Sequence, residues 1–433
     1  MSLADPIKSI NQDKIGEKIY ALIEELFPIC RSITGNGVRQ TLEIIRKHIP
    51  VNVHEVPSGT QVFDWIVPKE WNIRDAWVKD SSGRRVIDFQ NSNLHVLNYS
   101  VPFNGRMSLA ELKPHLFTLP EHPDWVPYRT SYYQEAWGFC LSHNQLLSLP
   151  DGHYDIGIDS TLEDGSLTYG EYFIPGGTKD EILISTHVCH PSLANDNLSG
   201  VCTAVFLTKH LLNQLNRYSY RFLFVPGTIG AITWLCRNQE SVARIKHGLV
   251  LTGVGDRGGI SYKKSRRGDT EIDRVAVHVL RHSVDKYSVE EFSPYGYDER
   301  QYCSPGFNLP VGRFSRTPYG KYPEYHTSAD NLDFIRPDSL AESYFVLAGI
   351  LKTLEGNAVY FNLVPHCEPQ LGKRGLYDQI GPNQLAMLWV LNYSDGYHSL
   401  LDIAEKSGIE FPSIRAAADV LTKFKLIEQQ NAL

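Results

Sequence analysis

The stretch Ser185-Thr186-His187-Val188-Cys189-His190-Pro191-Ser192-Leu193-Ala194-Asn195-Asp196-Asn197-Leu198-Ser199-Gly200 decides how the rest of the chain is read. An apolar run of strand character ends at Thr186 and delivers His187 at its carboxyl end. A polar loop follows, and Asp196 stands just before a small-residue helix predicted over 197–212. In open α/β sheets ligands collect outside the carboxyl ends of the strands, so His187 and Asp196 fall where chemistry is expected. A second polar turn, Pro323-Glu324-Tyr325-His326-Thr327-Ser328-Ala329-Asp330-Asn331, brings another imidazole. Imidazole nitrogen and carboxylate oxygen are ligands that zinc accepts, and three protein ligands with one open position is the catalytic form of such a site. One histidine after a strand is usually structural. Two histidines and an aspartate in these settings shift the balance to a metal. His190, next to Pro191, reads as a loop residue and Cys189 as a packing residue, with ligation by either kept as the alternative.

Outward from this stretch, strand runs alternate with helices, which predicts an α/β domain with a mostly parallel sheet. Residues 166–174 and 181–186 flank Pro175-Gly176-Gly177 and are read as a β-hairpin. Toward the amino terminus, Ile15, Ile19, Leu22, Ile23 and Leu26 keep helical spacing until Pro28, and a second helix follows Gly37. Residues 58–149 change texture: aromatics and prolines crowd among short strand-like runs, which predicts an inserted, mainly β domain. Tyr132, Tyr133 and Trp137 within it are weighed as sugar-stacking residues against ordinary packing. After a linker at 365–375, three helical patterns and a terminal strand predict a winged helix-turn-helix. The domain boundaries are therefore 1–57 with 150–365, 58–149, and 366–433.

Composition narrows the function. The chain has 433 residues, 42% hydrophobic and 21% charged, enough for a packed core of two or three domains. Its formal charge of −7 gives no help to binding nucleic acid or an anionic membrane. Residues 381–433 carry four basic side chains against six acidic ones, which argues against DNA as the partner of the winged helix. No long apolar run predicts a membrane span, and residues 1–13 lack the features of a secretory leader. Seven scattered cysteines fit a reducing, cytoplasmic setting better than a disulfide framework. The expected partner is a small-molecule, peptide or saccharide-conjugate substrate, with self-association left open.

Ala194-Asn195-Asp196-Asn197-Leu198-Ser199-Gly200, His187 and Tyr325-His326-Thr327, in this order, resemble the zinc aminopeptidase-like clan with co-catalytic metals. Within it the chain is similar to a bacterial aminopeptidase-like group linked with polysaccharide biosynthesis. The resemblance implies a zinc-exopeptidase-like fold and a metal set of His187, Asp196 and His326. It also places Asp298, Glu299 and Arg300 in a segment near the substrate. The departures are as informative. Cys189 stands where the clan has an aspartate, and Gly227 and Thr228 stand where it has a Glu-Glu pair. Asp256 is the one carboxylate near the expected third acidic ligand. The retained set suffices for one zinc and not two. Glu299 is the first choice for a replacement base, ahead of Asp298, Glu324 and Asp256, with Arg300 and Tyr325 as substrate contacts. Two functions stay open: a zinc-dependent hydrolase of an amide bond, and a zinc-containing binding or scaffold protein. Ordinary aminopeptidase activity is expected to be weak.

Overall fold

The computed structural model describes residues 12–376 and 384–430; most of the segment examined for a leader lies outside them. Eight strands form the main sheet: β1 (Asn52–Pro57), β2 (Ser166–Ile174), β3 (Glu181–His187), β4 (Ser219–Val225), β5 (Ile245–Leu251), β6 (Ile260–Lys263), β7 (Tyr287–Glu290) and β8 (Val311–Ser315). Their spatial order is β1-β2-β4-β3-β5-β8-β6-β7. The central four, β4, β3, β5 and β8, are mutually parallel. Every residue of β3 and β4 is buried, as expected for parallel strands covered on both faces. Glu181, wholly buried at the start of β3, is matched by Arg221 and Arg244, each at 2.7 Å.

The predicted hairpin is not formed. β4 lies between β2 and β3, antiparallel to the first and parallel to the second. Its Ser219-Tyr220-Arg221-Phe222-Leu223-Phe224-Val225 run needs a partner on both edges, which a marginal position would not supply. The Pro175-Gly176-Gly177 turn instead rides over the start of β4, where Gly176 N–H donates to Ser219 Oγ at 3.0 Å. A Cβ at Gly176 would overlap the Tyr218 carbonyl, so the close approach requires glycine.

Helices α1 (Gln12–Leu26), α2 (Asn36–Arg46), α3 (Gly200–Leu211), α5 (Glu271–Ser283) and α6 (Pro337–Gly356) share one apolar core with one face of the sheet. On the other face, α4 (Ile229–Arg237) and the insert share a second core containing Leu183, Leu223 and Val250. The insert carries an antiparallel sheet ordered Arg85–Asp88, Glu70–Lys79, His153–Glu163, Phe103–Ser108. Its sheet thus takes in residues beyond the 149 boundary read from sequence. Trp137 is stacked between Phe103 at 3.9 Å and His115 at 3.7 Å, and Tyr132 is hydrogen-bonded to Tyr128, so both serve packing; Tyr133 is exposed.

The C-terminal module consists of α7 (Gln384–Tyr393), α8 (Leu400–Ser407), α9 (Phe411–Lys423) and a sheet ordered Asp395–Ser399, Val359–Asn362, Ile427–Gln429. Because Val359–Asn362 is the central strand, the module begins before the linker rather than after it. It packs on α5 and α6: Arg274 pairs with Asp402 at 2.6 Å and with Glu405, and Arg415 donates to Gly356 O at 2.8 Å. His278 of α5, 4% exposed, accepts the Phe411 N–H at 3.1 Å. Burial, with His282 and Arg281 nearby, pushes its imidazole down to about 4. A histidine held neutral below its free value contributes stability that is complete above pH 6.5 and is lost as pH falls toward 4. The loss reaches about 3 kcal/mol. Thermal unfolding at pH 7 and pH 4.5 should therefore show a smaller acid-induced drop in Tm for His278→Gln than for the wild type. Equal drops would contradict it.

Candidate metal centre and its surroundings

Each side chain of the site arrives from the carboxyl edge of the sheet. His187 closes β3. The segment Ala194–Ser199 is a wide helical turn before α3, in which Asp196 and Asn197 leave helical geometry. The peptide bonds Asp196–Asn197 and Gly227–Thr228 are cis. Asp330, fully buried, holds this turn by accepting the N–H groups of Asn195 (2.6 Å) and Asp196 (2.9 Å). Burial pushes Asp330 up to about 8. Asn197 Nδ2 ties the same turn to Leu251 O and Thr186 Oγ1, at 3.0 and 2.8 Å.

Asp196 is completely buried and divides its two oxygens. Oδ1 faces His187 Nε2 at 2.8 Å; Oδ2 faces His326 Nε2 at 3.1 Å and His190 Nε2 at 3.7 Å. His190 and His326 approach each other at 3.2 Å through Nε2. Burial alone would raise the Asp196 carboxyl, but the imidazoles of His190, His187 and His326 hold it well below the usual carboxylate range. Burial also pushes His190 well below the ordinary histidine value. Asp196 Oδ2 makes no well-aligned hydrogen bond despite its burial. A buried carboxylate oxygen that makes no well-aligned hydrogen bond and faces two imidazole nitrogens has the donor chemistry of a cation site. The ligand atoms of His187, His190 and Asp196 all lie within 4.8 Å of one another.

His326 has φ 56°, in the left-handed region, and the insert clamps it there. Tyr128 N–H donates to His326 O at 2.7 Å, Ser328 N–H donates to Val126 O at 2.8 Å, and Pro127 bridges Thr327. The Tyr128 ring packs 5.0 Å from His326 and 5.2 Å from His190. Tyr325 stacks on His326 at 3.9 Å. Arg31, 1% exposed, donates to His190 O (2.7 Å) and Leu26 O (2.8 Å). Burial lowers its guanidinium to about 10. Neither Tyr128 nor Arg31 stands out in the sequence, because their partners are distant along the chain.

The acidic candidates separate. Asp298 is buried and neither oxygen accepts a hydrogen bond. A Cβ added at Gly227 would lie 3.6 Å from both Asp298 oxygens and 3.1 Å from His187 Cβ. Asp298 therefore sits at the edge of the space that a longer side chain at 227 would enter. Burial pushes it up to about 7. Glu299, the first choice from sequence, is committed elsewhere: its Oε1 accepts from Lys263 Nζ at 2.9 Å, with both residues buried. Asp256 is also withdrawn, accepting from Thr317 Oγ1 (2.6 Å), Gly258 N–H (2.7 Å) and Asn195 Nδ2 (3.1 Å). Arg300 is half-buried with its Nε unpartnered.

The comparisons agree with this architecture. Residues 20–357 match the family model described as a domain of unknown function (DUF4910), and 358–429 match a winged helix-turn-helix model. A Clostridium acetobutylicum protein, provisionally named a polysaccharide biosynthesis protein with an aminopeptidase-like domain, is 56% identical over 424 residues, covering 96% of this chain and 98% of that one. A crystal structure from the same organism, provisionally called a peptidase, superposes with TM-score 0.95 at 55% identity over 99% of both chains. A zinc aminopeptidase from Bacillus subtilis shares the fold at TM-score 0.57 and 11% identity, over 78% of this chain and 95% of that one. By the extent of the first match and the identity to its relative, this chain belongs to the DUF4910 family, with an aminopeptidase-like α/β fold and a C-terminal winged helix.

Proposed function

We propose that this chain is a zinc-dependent hydrolase of an amide bond, acting on a saccharide or peptide-like conjugate. One observation carries the reading: the buried, unpartnered carboxylate of Asp298 stands beside Gly227 and His187, next to the Asp196 cluster. His187, Asp196 and His326 are the residues taken to hold one zinc. Bound there, zinc supplies Lewis-acid polarisation of a carbonyl and a water of lowered pKa. The chain's own residues do the rest. Asp298 Oδ accepts the proton of the attacking water, at a carboxyl whose affinity for protons is matched to neutral pH. Arg300, with an unpaired Nε, orients an acidic group of the substrate. Tyr325 covers His326 and narrows the approach.

The saccharide part of the proposal leans on the relative's name, and the aminopeptidase part on the shared fold. A second reading, a zinc-containing binding or scaffold protein, is favoured by Gly227 and Thr228, which leave the strand end without a carboxylate. An assay of zinc-loaded and chelator-treated protein separates the two, using aminoacyl fluorogenic amides beside N-acylated amino sugars. Zinc-dependent cleavage of the sugar amides with weak cleavage of leucyl substrates is expected. Absence of turnover on every amide would favour the scaffold.

A further inference from the structure

We infer that His190 is a metal ligand, taking the place of the acidic ligand that Thr228 does not provide; the inference rests on the zinc reading above. Ligands at 2.0–2.1 Å in a tetrahedron lie about 3.3 Å apart. Around Asp196 Oδ2 the separations are 3.1 Å to His326 Nε2, 3.7 Å to His190 Nε2, and 3.2 Å between the two imidazoles. These three atoms already stand close to the face of such a tetrahedron. His187 reaches the other oxygen of Asp196, and its own three-ligand group with Asp196 also includes His190. His190 therefore belongs to both arrangements, whereas the set read from sequence omits it.

The remaining atoms of His190 are prepared for ligation. Its Nδ1 lies 3.3 Å from Cys189 Sγ, and that thiol directs its own hydrogen to Gly227 O at 3.7 Å. A sulfur that accepts a hydrogen bond from Nδ1–H fixes the proton there and leaves the Nε2 lone pair free for a metal, in the manner of the outer partners that fix a ligand's tautomer. Arg31 fixes the His190 carbonyl at 2.7 Å, and Tyr128 packs against the ring. The outcome is a centre richer in nitrogen than one completed by a Glu-Glu pair.

The test is zinc affinity against a competing chelator, with the visible spectrum of the cobalt(II)-substituted chain, for wild type, His190→Ala and His190→Glu. His190→Ala is expected to lose about 100-fold or more in affinity, at least what loss of an outer partner costs, together with the cobalt band. His190→Glu, which restores a carboxylate, is expected to keep cobalt with a shifted band. Wild-type affinity in folded His190→Ala overturns the assignment. Should that variant not fold, an unshifted band in His190→Glu overturns it instead, and a shifted one supports it. Metal held through His190 in a protein that cleaves no amide would leave the assignment standing and remove the hydrolase reading. Zinc-dependent turnover by a His190→Ala variant that binds zinc with wild-type affinity would do the reverse.

Discussion

Asp196→Asn is expected to abolish stoichiometric zinc binding, weakening affinity by more than about 100-fold, beyond the loss typical of outer-shell changes. The effect should be the largest of any single substitution, because both oxygens of this carboxylate face imidazoles, His187 on one side and His326 with His190 on the other. The amide keeps the size of the side chain and the backbone bond from Asp196 N–H to Asp330. The far-ultraviolet circular dichroism should thus be preserved while a chelator competition titration records the loss. Unchanged affinity would place the metal elsewhere.

The second large effect is expected at Asp298. Asp298→Asn should lower kcat on a cleavable amide by about 10²–10⁴, the usual contribution of a positioned base, while zinc content stays near wild type. Glu299→Gln should behave differently. It breaks a buried pair with Lys263, so thermal stability falls by about 3–5 kcal/mol, and kcat of the folded fraction changes little. If Glu299→Gln removes turnover and Asp298→Asn does not, the base has been misassigned. Gly227→Glu alone is not expected to rescue aminopeptidase activity. Its side chain would meet His187 Cβ and the Asp298 carboxylate at once. On an Asp298→Ala background the space is released, and partial activity should return.

Much of this architecture is legible along the chain. The apolar run before His187 identifies a buried strand, and Asp196 and His326 stand in recognisable settings at its carboxyl edge. What escapes is set by contacts between distant segments. His190 sits in a loop with no periodicity, and its placement comes from Arg31 and Tyr128, on two other segments. Asp298 and Glu299 are neighbours of the same chemistry, so sequence cannot rank them. The structure does, because the helical turn Glu299–Tyr302 directs Glu299 to Lys263 and leaves Asp298 unpaired. The false hairpin has the same origin. Local turn chemistry at Pro175-Gly176-Gly177 was satisfied, yet the fully buried β4, with its Phe222-Leu223-Phe224-Val225 run, takes a central position and separates β2 from β3.

The winged helix illustrates how a familiar outline can be used for packing. Phe411, Ile414, Ala417, Ala418 and Leu421 of α9 are buried in the core shared with the α/β domain. His278, Arg274 and Arg415 tie the module to helices α5 and α6. The insert plays a related part on the other side, since its 126–128 segment pairs with the His326 loop. Both additions thus buttress the α/β domain, and the insert does so within one residue of the metal cluster. None of the helices among the described residues is long and apolar enough to cross a membrane.

The central claim is a single zinc held at Asp196 by the surrounding histidines. Elemental analysis of the full chain, purified without chelator and dialysed against metal-free buffer, tests it most directly. One zinc per chain is the predicted result, and a chain that retains none, or retains two, would contradict it.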